Sequence, residues 1–133
     1  MRKIIILLLS IVVFNSCSNN DKSNYDYQFL KIDSVEVPTS FSYGGIDQIK
    51  VKFTLPDKCY SFDRLYYEYQ ETNRIVAIVA LIDLNNICAQ ETEQLEYSFS
   101  VKATQREDYT FKFWKGKDSD GNNLYEEVIV PVE

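Results

Sequence analysis

Few residues in this chain are equipped for chemistry. None of its 133 residues is histidine, which removes the commonest general base, the usual serine and cysteine triads and most zinc or iron sites. Carboxylate pairs remain. Glu91 with Glu93 and Glu126 with Glu127 are of the type that acts on a glycosidic bond. Both pairs fall in loops or at strand edges of a small domain with no sign of a deep cleft, so no enzymatic activity is expected. The stretch KDSDGNN sets Asp118, Asp120 and Asn122 at the alternate positions of a calcium loop, with oxygen ligands suited to a hard cation. Its Gly121 comes early for an EF-hand, and Asp, Gly and Asn are equally what a hairpin turn needs for positive φ. A turn is the first reading, calcium the second, and no cofactor is expected. Three cysteines, Cys17, Cys59 and Cys88, make an odd number.

The elements that must position these residues read as strands. Short runs rich in Val, Ile, Tyr, Phe and Thr recur at regular spacing, separated by turn signals, with no long helical stripe; this is the pattern of an all-β sandwich or barrel. Seven strands are expected: A, 30–37, closed by Pro38; B, 46–55; C, 62–69; a fourth, C′, over 74–84 after a turn at 70–73; E, 95–103; F, 108–115; and G, 124–132. In B, Ile49, Val51, Phe53 and Leu55 alternate with Lys50, Lys52 and Thr54, so one face is buried and one is wet. The short turn at Glu71-Thr72-Asn73 makes C and C′ a hairpin. This fits an immunoglobulin-like or fibronectin-III-like order, with A, B and E in one sheet and C′, C, F and G in the other. Within "EDYTF", Tyr109 stands two residues before Phe111 at the start of F, resembling a tyrosine corner; the alternative is one more inward aromatic. The fourth strand, RIVAIVALIDL, is apolar in both alternating sets. Either linker and loops cover it on both sides, or it is an exposed apolar edge over 75–82 that pairs with a partner.

The N-terminus carries a separate signal. Arg2 and Lys3 precede an apolar stretch from Ile4 to Phe14, broken by Ser10. That is a secretory signal over residues 1–16, too short for the roughly 20 residues that span a bilayer. Phe14-Asn15-Ser16-Cys17 then resembles the lipobox of bacterial lipoproteins: a large apolar residue, a variable one, a small one and cysteine. Phe14 and Asn15 depart from the commonest pattern; Ser16 and Cys17 keep it. The resemblance implies cleavage before Cys17, a diacylglyceryl thioether on its thiol and usually an acylated N-terminus, the several acyl chains that stable anchoring requires. Ser18 is not the aspartate that marks inner-membrane retention, so an outer-membrane destination is expected, periplasmic or surface-facing. Residues 17–29 would be the lipidated cysteine and a flexible tether, and 30–133 the sandwich. Removing 1–16 takes away two of 14 basic residues and none of 20 acidic ones. That balance argues against nucleic acid and against an electrostatic grip on anionic lipid.

With Cys17 lipidated, Cys59 in the B–C connection and Cys88 in the C′–E connection remain. In the expected topology both lie at one pole, where the N-terminus also enters, so a disulfide is geometrically allowed; it would contribute roughly 3–4 kcal/mol. The segments QETNR and TQRED would lie at the opposite pole. Ten tyrosines, eight phenylalanines and one tryptophan are a heavy aromatic load. Phe53, Tyr67, Tyr69, Phe99, Phe111 and Phe113 take inward positions. Tyr66, Trp114 and Tyr125 fall in the outward phase of neighbouring strands and are the candidate ligand-binding row, of the kind that stacks on sugars or forms protein hot spots. The alternative is partly buried aromatics covered by the stems of Lys112 and Lys115.

Two further stretches, "LPDKCYSFDRLYYEY" and "YTFKFWKGKDSDGNNLYEEVIVPV", resemble small uncharacterised lipoproteins of flavobacterial, Bacteroidota type. The resemblance implies an anchor and an immunoglobulin-like sandwich, and carries no activity. The expectation is a membrane-anchored lipoprotein acting as a non-catalytic binding or accessory module of the cell envelope, with a protein or glycan partner. The alternatives are a structural component self-associating through 75–82, and a small carboxylate-dependent hydrolase.

Overall fold

The computed structural model describes residues 22–133; the expected signal over 1–16, Cys17 and the polar stretch up to Asp21 lie outside the described residues. Eight strands form two sheets: β1 (Tyr25–Leu30), β2 (Ile32–Glu36), β3 (Ile46–Leu55), β4 (Tyr60–Gln70), β5 (Asn73–Asp83), β6 (Glu93–Lys102), β7 (Tyr109–Lys117) and β8 (Asn123–Val130). Strands β2, β3 and β6 make a three-stranded sheet; β1, β4, β5, β7 and β8 make the other. The all-β sandwich is as expected.

Alternation places the core. Ile49, Val51, Phe53 and Leu55 of β3 are buried, and Leu95, Tyr97, Phe99 and Val101 of β6 face the same interior. From the opposite sheet come Val76, Ile78 and Ala80 of β5 and Phe111 and Phe113 of β7, the last two stacked 5.9 Å apart. Tyr69, expected inside, is 69 % exposed, because β4 runs past the end of the core before its turn.

Three expectations change. First, the segment expected as strand A is two strands in different sheets. Leu30 and Ile32 both face the core, but from opposite sheets, and the chain crosses between them at exposed Lys31. Second, the sandwich begins before Leu30: residues 25–29, assigned to the tether, belong to β1, which pairs antiparallel with residues 78–83 of β5. Third, the order is not C′, C, F, G. The fourth strand, β5, lies beside β7, parallel to it through Asn73–Val76, while β4 holds its other edge over Asn73–Ile82. The second half of β5 is taken by β1. A strand apolar in both phases is thus central, not an edge. The basis for self-association through 75–82 is removed, since both edges of that strand are already hydrogen-bonded.

Tyr109 is fully buried, and its hydroxyl accepts the Thr104 N–H at 3.0 Å, five residues upstream. That is the geometry of a tyrosine corner and ties the β6–β7 connection to β7. At the other pole, Cys59 and Cys88 are disulfide-bonded, with Cα atoms 5.4 Å apart, well within the usual range. The chain enters there too: Leu84 N–H donates to Asn24 O at 2.8 Å and Asp83 N–H to Cys59 O at 3.0 Å.

Candidate functional site: an aromatic face

The outer face of the five-stranded sheet is built around Ala77. Register sets Tyr66 of β4 opposite Ala77. Trp114 follows Phe113, the last β7 residue paired with β5, and faces Tyr125 of β8. Tyr66, Trp114 and Tyr125 therefore form one transverse row, as strand phase predicts, and all three are half-buried. The small side chain of Ala77 leaves a trough in the middle of that row.

Sequence reasoning missed the residue that fills the trough. Phe29 of β1 sits opposite Val79, with its ring 5.2 Å from Tyr66 and 5.6 Å from Trp114. Beneath this face, Ile75, Ala77 and Val79 are 9 %, 1 % and 2 % exposed although they point away from the core between the sheets; Tyr66 lies opposite Ala77, Phe29 opposite Val79, and Glu68 and Lys112 flank Ile75. The signal was present: Tyr25, Tyr27 and Phe29 alternate at period two in the stretch taken for a tether. Tyr27 extends the face and carries the Arg64 guanidinium 5.4 Å from its ring centre.

Polar groups fix the rings. Trp114 Nε1–H donates to Asn123 Oδ1 at 3.1 Å. The Tyr66 hydroxyl donates to the Glu68 carboxylate, and that bond, with a smaller effect of desolvation, raises the hydroxyl pKa, so it stays a proton donor at neutral pH. Lys112 pairs with Glu127 at 3.6 Å on this face. Lys115 does not cover the rings; its ammonium turns to the β1–β2 crossing, donating to Ile32 O at 2.7 Å and Asp33 O at 3.1 Å.

The remaining candidates fall elsewhere. Asp118 Oδ1 accepts the N–H groups of Asp120 and Asn122 at 2.9 Å each, which lowers its pKa, and Gly121 takes φ +82°. These residues shape the β7–β8 turn. Glu91 and Glu93 both approach the Lys58 ammonium at 3.7 Å. Glu126 and Glu127 point to opposite faces of β8, toward Lys115 and Lys112, and do not face each other across a cleft.

A second region was not foreseen at all. At the pole opposite the disulfide, a cavity of about 320 Å³ opens between β4 and β6, with Arg74 in its lining. Arg74 is 4 % exposed. Its only sequence signal was its phase, two residues before buried Val76.

Residues 49–129, more than half of the chain and reaching from β3 into β8, match the profile of the family described as the ORF11 beta-sandwich domain. No curated protein and no solved structure matches the chain.

Proposed function

The chain belongs to the ORF11 β-sandwich domain family, a membership that speaks to its fold, and we propose that it serves as a membrane-anchored, non-catalytic binding module of the cell envelope. Its contact surface is the aromatic face of Phe29, Tyr66, Trp114 and Tyr125, and its partner is a protein or a glycan. The observation that carries this is the half-exposed row of rings on the outside of one sheet. Flat rings with hydroxyl, indole and amide groups at their edges suit sugar stacking and protein hot spots alike.

The anchor is part of the same reading. The lipobox-like Phe14-Asn15-Ser16-Cys17 supports a lipoprotein, and Ser18 in place of a retention aspartate supports an outer-membrane destination. Metabolic labelling with an alkyne fatty acid checks it: Cys17 should carry the label and Cys17→Ser should lose it. An unlabelled wild-type protein would sink the anchor.

Trp114 is the only tryptophan in the sequence, so emission reports directly on the face. Titration with soluble peptidoglycan fragments, β-linked gluco-oligosaccharides and envelope proteins should give a saturable shift with at least one. Tyr66→Ala should weaken that response about tenfold. Partner binding that leaves Trp114 emission unchanged and survives Tyr66→Ala would overturn the reading.

A further inference from the structure

The distal cavity holds an arrangement that the aromatic face does not explain. The Arg74 guanidinium is almost wholly buried, yet no carboxylate lies in ion-pair range of it among the described residues. Its partners are neutral. Nη1 donates to Glu71 O and Asn73 O, and Nη2 to Gln105 Oε1, all at 2.9 Å. Two π faces complete the shell, with the ring centres of Tyr69 and Tyr109 at 4.3 and 4.9 Å. Arg74 Nε–H is buried with no acceptor. Burying a cation without an anion and with an unmade hydrogen bond is costly, and in a chain of net charge −6 there was no shortage of acids to place beside it.

We propose that this cavity binds a small organic carboxylate with a flat apolar body, whose carboxylate takes the planar N–H fork of Arg74. Several features fit that chemistry. Nε–H beside a guanidinium amino group matches the two oxygens of a carboxylate. Leu65, Tyr67, Phe99 and Tyr109 line the cavity and give an apolar body flat surfaces. Burial pushes the Tyr67 hydroxyl up to about 12, so it stays protonated and remains a donor toward an anion. Lys102 at the rim adds a second positive charge. Opening the buried Nε requires a wall to move, and Tyr69, exposed at the end of β4 with its ring centre 4.3 Å from the guanidinium, is the least enclosed of the rings around it. A volume of about 320 Å³ suits a one- or two-ring acid rather than a polymer.

The test uses the wild-type chain with two probes of one shape, 3-phenylpropionate and its neutral amide, 3-phenylpropanamide. Nitrogen-15 spectra should show a saturable shift of the Arg74 Nε–H and of the Val101 and Thr104 amides with the acid, at the millimolar affinity expected for so small a body. The amide should bind about tenfold more weakly. Arg74→Lys keeps the charge without the fork and should lose most of the response; Lys102→Ala, an exposed change that leaves the fold intact, should weaken it several-fold. An unmoved Arg74 Nε–H, or equal responses to acid and amide, would overturn the proposal.

Discussion

The two sheets present opposite outer faces to solvent. On the three-stranded sheet, Lys50 lies between Glu36 and Glu96 at 3.6 and 3.4 Å, and Lys52 meets Glu96 at 3.9 Å. That is an ordinary wet face of exposed ion pairs. On the five-stranded sheet the corresponding surface is Phe29, Tyr66, Trp114 and Tyr125 over three buried apolar residues of β5. The difference teaches that β5, apolar in both phases, needs a cover on its outer side, and that the rings supplying it stay half-exposed, which gives them their weight as a contact surface.

Five changes break or sharpen that contrast, and the largest effect belongs to the floor under the rings. Ala77→Asp buries a charge opposite Tyr66, with no cation across from it, and should destabilise by about 4 kcal/mol or more; Ser98→Asp, on the wet face, should stay within about 0.5 kcal/mol. Urea titration measures both. Next is Phe29→Ala, which uncovers Val79 and removes the ring between Tyr66 and Trp114. It should cost about 1–3 kcal/mol and shift Trp114 emission to the red; an unchanged spectrum would mean that Phe29 does not cover the trough.

Between the two faces, Tyr67 lies with a hydroxyl pKa raised by burial from 10.0 to about 12. The folded state holds this proton more tightly than the unfolded one. Its contribution is therefore complete below pH 10 and is lost as pH rises toward about 12. Tyr67→Phe should flatten that part of the alkaline stability profile, and a profile identical to wild type would contradict the assignment. The smallest effect is expected on the wet face. Glu96→Ala removes two exposed ion pairs and should be barely separable from wild type, the more so in high salt.

The sequence was most legible where one face is wet. Ile49, Val51, Phe53 and Leu55 alternate with polar residues, and β3 falls as expected with its core side correct. Tyr109 likewise showed its corner through its place before Phe111. Strand order was not legible, because local periodicity does not say which strand lies alongside which. The two apolar phases of Ile75–Ile82 did mark a strand covered on both sides, but what covers it is Phe29, in a segment whose exposed Tyr25, Asp26 and Gln28 read as tether. The row of Tyr66, Trp114 and Tyr125 survived the change of order because outward phase depends on each strand alone. Arg74 stayed hidden because a charged residue at a strand start ordinarily faces water; here the β6–β7 connection closes over it through Gln105.

The most direct test of the aromatic face is a comparison of captures from envelope extract, with proteins and glycans both profiled. It sets wild type beside Tyr66→Ala with Trp114→Ala, and beside Lys50→Ala with Glu96→Ala on the other sheet. The account predicts a saturable partner that the aromatic double variant loses and the charged double variant keeps. Equal retention by the two variants, with both folded by circular dichroism, would contradict it.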